Sequence, residues 1–222
     1  MKKRHALFSI TFLISLLGFY GCSSNQKDKE DKFWSWFAKN QDYYYDQESN
    51  KDGNYSDLTE KLNEIDSNLV YEFSPIHDNG IKELTISADG LKESFPSVIK
   101  LVEKAPKIKK WKINAFRQRV PGDHLKILYD DTISIAYDDI YFTHKEENDK
   151  LKIELYIKNY KAESSFDNAV FILLDQLIGE YDTETQLGLI ERKRLDETKI
   201  DPLYKFVRLR EVVDSFKRRN KK

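Results

Sequence analysis

The chain has 222 residues, 40% of them hydrophobic and 13% aromatic, so it can bury a sizeable core but is too short for two full-sized domains. Its 37 basic and 38 acidic residues give a formal net charge of −1, which argues against a nucleic-acid-binding protein, because such proteins carry a basic excess. A single cysteine excludes both a disulfide framework within the chain and a cysteine-based structural zinc site.

Residues 1–21 have the pattern of a bacterial export signal. Lys2, Lys3 and Arg4 form a basic start, and the apolar stretch from Ala6 to Tyr20 is too short to span a bilayer comfortably. The stretch ends at Gly21 and Cys22, and polar residues follow without interruption to Lys32.

This arrangement resembles the signal of bacterial lipoproteins. The resemblance implies cleavage before Cys22, a diacylglyceryl group on its thiol and often a third acyl chain on the new N-terminus. Two or three acyl chains hold a protein on a membrane almost permanently. We therefore expect a lipid-anchored protein of the cell membrane or outer membrane, and Ser23 directly after Cys22 resembles the outer-membrane sorting pattern. An ordinary signal peptide followed by an incidental thiol is the alternative.

The exported part begins with a predicted tether. Residues 22–32 are the lipidated cysteine and a polar run that has nothing apolar to bury. A single domain is expected over residues 33–222. Without the three cations of the signal, the chain carries 34 basic against 38 acidic residues, so we expect no general attraction to anionic lipid.

The first element of the domain is a predicted helix at about residues 30–46. Phe33, Phe37 and Tyr44 share one of its faces. A polar loop follows, and a short helix begins near Ser56.

Two segments of the domain have the same order of predicted elements, strand, strand, helix and strand. The first covers residues 69–117 and the second covers residues 139–194, so the sequence indicates a duplication whose units lie in one continuous sheet. A hairpin turning at Asp130 and Asp131 is predicted between them, and a last helix is predicted at about 203–219. The predicted fold class is α+β, with helices packed on one face of a mostly antiparallel sheet.

Five short motifs are spread over residues 33–216. They are Phe33-Trp34-Ser35-Trp36-Phe37, the stretch Leu84–Gly90, the helix entry Phe95-Pro96, the strand Trp111–Arg117 and Gly179-Glu180-Tyr181-Asp182. Together they resemble an uncharacterised bacterial family of proteins mostly labelled hypothetical. That resemblance implies an intact domain and no activity, substrate or catalytic residue.

A search for catalytic or metal-binding motifs finds few candidates. His77 and His124 lie beside acidic residues in predicted loops, and His144 lies on a predicted strand, but none has a second histidine or cysteine at metal-ligand spacing. No nucleophile or phosphate-binding motif occurs, and no cofactor or metal is expected. A glycosidase needs two carboxylates that face the same sugar, whereas the side chains of adjacent residues usually point to different sides. The adjacent acids at 130–131 and 138–139 are therefore predicted to form turns.

The aromatic residues near the start of the domain are the most suggestive feature. A candidate binding surface consists of Trp34, Trp36, Tyr43 and Tyr45, which can stack on carbohydrate or on a protein partner. The alternative is that the tryptophans pack into the body like Phe33 and Phe37.

These observations favour a membrane-anchored cell-envelope lipoprotein that acts as a binding or structural interaction module. The expected partners are the membrane, through the lipid anchor, and an unidentified envelope protein or glycan. The alternative function is an envelope hydrolase with a dispersed active site of Asp, Glu and His. A deep pocket with convergent histidines and carboxylates would favour the enzyme, and a flat aromatic surface would favour the binding module.

Overall fold

A computed structural model of the chain describes residues 28–46 and 55–220. The predicted signal, Cys22 and the tether residues up to 27 lie outside the described residues. The described part has an α+β fold, as the sequence predicts, with six α-helices and nine strands in three sheets. The helices are α1 (Lys29–Tyr45), α2 (Ser56–Asn63), α3 (Phe95–Glu103), α4 (Ser164–Ile178), α5 (Glu180–Gln186) and α6 (Leu209–Asn220). The strands are β1 (Val70–Phe73), β2 (Lys82–Ser87), β3 (Trp111–Ala115), β4 (Lys126–Tyr129), β5 (Ile133–Ala136), β6 (Ile140–Glu147), β7 (Lys150–Ile157), β8 (Leu187–Arg194) and β9 (Tyr204–Lys205).

The described residues form two hydrophobic cores. We call residues 28–46 and 55–116 the N-terminal half, residues 125–220 the C-terminal half, and residues 117–124 the connecting segment. The N-terminal half has a three-stranded sheet in the order β1-β2-β3, with β2 antiparallel to β1 and parallel to β3. Helix α1 contributes Phe33, Trp34, Phe37 and Tyr44 to its core because these residues recur at helical spacing.

The C-terminal half has a four-stranded sheet in the order β8-β7-β6-β9. Strand β7 alternates between buried and half-buried residues, as its apolar and polar residues alternate in the sequence. Helix α4 packs its apolar stripe into the same core and ends at Gly179. The hairpin of β4 and β5 turns at Asp130 and Asp131, as predicted. Both residues have positive φ.

The two predicted units share strand order and pairing but not a sheet. In each unit the first two strands are antiparallel and the second and third are parallel. The expectation of one continuous sheet is wrong, because the units belong to separate sheets with separate cores. Each half covers its own sheet with its own helices, so neither sheet needs the edge of the other.

Three predicted boundaries are corrected. The predicted tether extends too far: Asp28 caps α1, residues 29–32 form its first turn, and Glu30 is buried against lysines of α3. Residues 203–208 precede the last helix, where β9 pairs with β6 and Phe206 enters the core. The sequence did not predict α5, whose seven polar residues show no helical stripe. None of the helices in the described ranges is long and apolar enough to cross a membrane.

Candidate functional site

The two halves meet around the buried side chain of Glu180, the first residue of α5. Its exposed fraction is 1%. Oε1 accepts hydrogen bonds from the Ser87 hydroxyl at 2.7 Å and from the Gly90 backbone N–H at 3.3 Å. Oε2 accepts from the Arg117 backbone N–H at 3.0 Å, and the Arg117 carbonyl accepts from the Glu180 N–H at the same distance. One carboxylate of the C-terminal half therefore fixes the end of β2, the turn after it and the start of the connecting segment.

Gly179 places that carboxylate. Its φ of 86° and ψ of 141° lie where only glycine is comfortable, and this conformation turns the chain sharply between α4 and α5. The turn brings Glu180 under the N-terminal half while α4 keeps its last hydrogen bond, from the Gly179 N–H to the Asp175 carbonyl at 2.8 Å.

The Arg117 guanidinium extends the junction toward the N-terminal half. Nε donates to Glu72 at 2.6 Å and Nη2 donates to Asp89 at 2.7 Å. Burial lowers the pKa of Arg117, but the hydrogen bonds to Asp89 and Glu72 outweigh this effect and leave its pKa above the usual value. Arg117 therefore stays charged and holds the two carboxylates in fixed positions.

A cleft of about 650 Å³ lies beside this junction and is lined by both halves. Its lining combines four carboxylates, one guanidinium, two amides and apolar or aromatic groups. These residues are Glu72, Asp89, Gly90, Leu91, Arg117, Tyr129, Asn168, Phe171, Ile172, Asp175, Gln176 and Glu184. Leu91 and Ile172 are exposed large apolar residues at this cleft. The cleft thus offers many hydrogen-bonding groups next to apolar surface.

Asp175 is the most perturbed acid of the cleft. Burial raises its pKa to about 7; a hydrogen bond from Thr183 opposes the rise, and the charge of Glu180 adds to it. At neutral pH this carboxyl is therefore close to half protonated. It can donate a hydrogen bond in one state and accept hydrogen bonds in the other.

An ion-pair cluster ties the connecting segment to the C-terminal half. Arg119 binds Asp182 at 2.9 Å and Asp214 at 2.8 Å, and its Nε donates to the Ile178 carbonyl at 2.7 Å. Lys217 binds Asp182 at 2.6 Å. This cluster joins the connecting segment to α5 and α6, and its residues line a separate hollow and not the cleft.

The aromatic residues proposed as a binding surface do not form one surface. Trp34 is 3% exposed and its indole N–H donates to the Leu101 carbonyl at 2.7 Å, so its inclusion in the candidate surface is corrected: it is a core residue. Trp36 is half-buried against Phe33 and Tyr44. Helix α1 packs on β3 through Phe37 and on α3 through Trp34, and the sequence alone does not reveal the second contact.

The two tyrosines of that set differ from each other. Tyr45 is half-buried, and its hydroxyl donates to the Gly80 carbonyl at 2.9 Å. Tyr43 is 44% exposed. Of the four residues only Tyr43 is exposed, and one ring does not make a flat aromatic platform.

The histidines lie away from the cleft. His77 Nε2 is 3.3 Å from Glu83 Oε1, and His124 Nδ1 is 3.2 Å from Asp138 Oδ2, both in loops as predicted. His144 is on β6 beside the rings of Phe142 and Tyr204, and burial lowers its pKa. Since none of them is among the described cleft residues, the convergence of histidines and carboxylates expected of a hydrolase is not found there.

The adjacent acids have local roles. Asp130 and Asp131 form the hairpin turn, and Asp139 accepts the Ala136 N–H at 2.9 Å. Within residues 28–46 and 55–220, no three His, Cys, Asp or Glu side chains are arranged to hold a metal ion.

The sequence does not predict the cleft, because periodicity and catalytic motifs do not show which distant segments meet. Three of the motifs noted above meet at the junction: Leu84–Gly90 supplies Ser87 and Asp89, Trp111–Arg117 supplies Arg117, and Gly179–Asp182 supplies Glu180.

Comparison of the chain with protein-family models, with curated proteins and with solved structures gave no match.

Proposed function

We propose that this chain is a cell-envelope lipoprotein, held on a membrane by lipid on Cys22, that binds a hydroxyl-rich ligand such as a glycan in the cleft between its halves. The observation that carries the binding role is the cleft itself, which both halves line and whose acidic and basic groups are fixed by the Glu180 and Arg117 contacts.

The chemistry of the lining favours a glycan. The carboxylates accept hydrogen bonds from hydroxyl groups, and the amides of Asn168 and Gln176 both donate and accept them. Tyr129 and Phe171 offer aromatic surface to the apolar faces of a sugar ring. Fixed polar groups lose little conformational entropy when they bind a ligand, which favours recognition by a preformed site.

The anchor is tested in the cell. A clickable fatty acid should label the full-length protein and should not label Cys22→Ser. Because Cys22 is the only cysteine, no other thiol accounts for the signal. Equal labelling of the two proteins would refute the lipid anchor.

The cleft is tested with the chain lacking its signal and with tri-N-acetylchitotriose as the probe, a soluble oligosaccharide of an amino sugar found in bacterial walls. We expect millimolar binding, seen as shifts in the NMR amide signals of Asn168, Asp175 and Gln176. Asn168→Ala should weaken binding, whereas Asn220→Ala, at an exposed position of α6, should not. Shifts spread evenly over the chain, or none at tens of millimolar, would refute this ligand class.

One observation favours the alternative, an envelope hydrolase: the pKa of Asp175 lies near 7, where a carboxyl can act as a general acid. The same incubation separates the two functions. Release of shorter oligosaccharides by the native chain and not by Asp175→Asn would identify an enzyme, and recovery of the intact oligosaccharide would identify a binding module.

A further inference from the structure

The lysine-rich segment of the N-terminal half forms a surface next to the point where the described fold begins. Residues 100–112 contain six lysines and one glutamate, although the whole chain is close to neutral. We call residues 104–110, between α3 and β3, the lysine loop. Its Lys107, Lys109 and Lys110 are all exposed.

These three lysines have no acidic partner among the residues that the structure describes. Lys100 and Lys104 are paired with Asp28 and Glu30, and Lys112 is paired with Glu83. Within the described ranges, by contrast, no carboxylate lies within ion-pair distance of Lys107, Lys109 or Lys110. The positive charge of the segment is therefore concentrated at the solvent face of the lysine loop.

The lysine loop runs alongside α1. At one end, Lys104 contacts Asp28, the N-cap of α1. At the other end, the Lys110 ammonium lies 4.6 Å from the ring centre of Tyr45, in the last turn of the same helix. The loop thus follows a 17-residue helix, about 25 Å long, from its first residue to its last.

The loop also carries apolar surface. Val102, Ala105, Pro106 and Ile108 line a shallow hollow beside the exposed lysines. Ammonium groups next to partly exposed apolar side chains match the boundary between lipid headgroups and acyl chains.

The length of chain before α1 limits where this surface can lie. Cys22 precedes Asp28 by six residues, which span about 21 Å at most when fully extended. Since Asp28 is fixed to the loop by Lys104, a lipid on Cys22 keeps the start of the loop within that distance of the membrane. The Debye length at physiological salt is about 8 Å, and headgroup charge is felt within about this distance of the membrane. The short link to Cys22 allows the lysines of the loop to come within that distance.

From these contacts we propose that the lysine loop docks on anionic phospholipid headgroups of the membrane that carries the anchor, and so fixes the orientation of the whole body. The inference depends on the proposed lipid on Cys22. The net charge of the chain predicts no general attraction to anionic lipid. The lysine loop is a local positive surface, so one face of the protein can bind anionic lipid although the chain as a whole is mildly acidic.

The test uses the full-length chain made in a bacterial host, extracted in detergent and reconstituted into nanodiscs. One set of discs contains phosphatidylcholine alone and the other contains 30% phosphatidylglycerol. Mass spectrometry of the N-terminal peptide reports lipid on Cys22, and acetylation of lysines reports which of them the membrane covers.

We expect acetylation of Lys107, Lys109 and Lys110 to be slowed about fivefold or more per site on the anionic discs, as expected for about 1 kcal/mol per lysine at an anionic surface, and to recover in 0.5 M salt. Acetylation of the neighbouring Lys104 should also be slowed on the anionic discs. This slowing should be lost in a variant in which Lys107, Lys109 and Lys110 are all changed to Gln. The matched control changes Lys126, Lys161 and Lys205, three exposed lysines of the C-terminal half, to Gln and should behave like the native chain.

Each outcome is decisive. Lipid on Cys22 with equal acetylation on both kinds of disc would overturn the docking surface and leave the anchor intact. A native cysteine without lipid would overturn the proposed anchor and, with it, the docking surface. Lipid on Cys22 with protection confined to anionic discs would support both.

Discussion

Glu180 is a single buried acid that holds together parts of the chain more than 60 residues apart. Its two oxygens accept from three donors, two of them backbone N–H groups. In Glu180→Gln an amide NH2 replaces one oxygen, so at least one buried donor faces another donor. We expect a loss of about 2–4 kcal/mol in unfolding free energy, measured by urea denaturation.

Glu184→Gln is the matched control for this substitution. Glu184 also belongs to α5, but its side chain is 24% exposed and pairs with Lys92 at 3.2 Å. Such a pair contributes less than about 1 kcal/mol. Equal losses in the two variants would show that Glu180 has no special role at the junction.

Asp175 makes the stability of the fold depend on pH. Its pKa is about 7 in the folded chain against an ordinary value of 3.8, so between pH 4 and pH 7 the folded state binds more protons than the unfolded state. Stability from this group is therefore present in acid and is lost as the pH rises to 7. Asp175→Asn should remove this loss. Between pH 5 and pH 8 the unfolding free energy of the native chain should therefore fall by about 2 kcal/mol more than that of the variant.

Thermal unfolding of the native chain and Asp175→Asn at pH 5 and pH 8 checks this expectation. Glu60→Gln, at an exposed position of α2, serves as the control and should follow the native chain at both values. If Asp175→Asn and the native chain respond to pH in parallel, Asp175 has an ordinary pKa and its proposed acid role fails.

At the scale of elements, α6 is part of the core. Leu209, Val213 and Phe216 are buried in the C-terminal core, as their helical spacing predicts. Truncating buried Phe216 to Ala removes most of its packing and should cost about 3–5 kcal/mol in a denaturant titration. Asn220→Ala, one turn further on and exposed, should change stability by less than about 0.5 kcal/mol. A native-like midpoint for Phe216→Ala would make α6 an appendage.

The elements with a strong period were predictable, and those held by polar contacts were not. The alternation in β7 and the apolar stripe of α4 locate these elements within a residue or two. Helix α5 is mostly polar and exists because Gly179 turns the chain and the N-terminal half binds Glu180. The tether was predicted to reach residue 32 for the same reason: Glu30 is buried only because α3 supplies lysines 70 residues away. The residues of α1 and α5 alone do not indicate which distant residues they contact.

The cleft was beyond prediction on the same grounds. Asp89, Arg117 and Asp175 are unremarkable in their own segments, and their proximity depends on how the two halves meet. The aromatic motif at the start of the domain drew attention because of its composition. Its Trp34 packs inward because α3 lies over it, which the one-dimensional pattern does not show.

At the scale of the whole molecule, the junction should make the two cores unfold together. Besides the contacts of Glu180, the ring of Tyr181 packs against Phe95 and Phe116 at centre distances of 5.8 and 5.2 Å. Two cores that share such contacts stabilise each other, so the unfolding of one is expected to bring about the unfolding of the other.

The distribution of tryptophan allows a direct test of this coupling. Trp34, Trp36 and Trp111 all lie in the N-terminal half, so tryptophan fluorescence reports that half alone, whereas far-UV circular dichroism reports both. In the native chain the two urea midpoints should coincide. In the double variant Glu180→Gln, Tyr181→Ser they should separate, because each core then unfolds with its own stability, whereas Tyr204→Ser, an exposed ring of the C-terminal half, should leave them coincident. Separate midpoints already in the native chain would mean that the halves are independent, and the cleft between them would then lack the fixed geometry on which its proposed binding role depends.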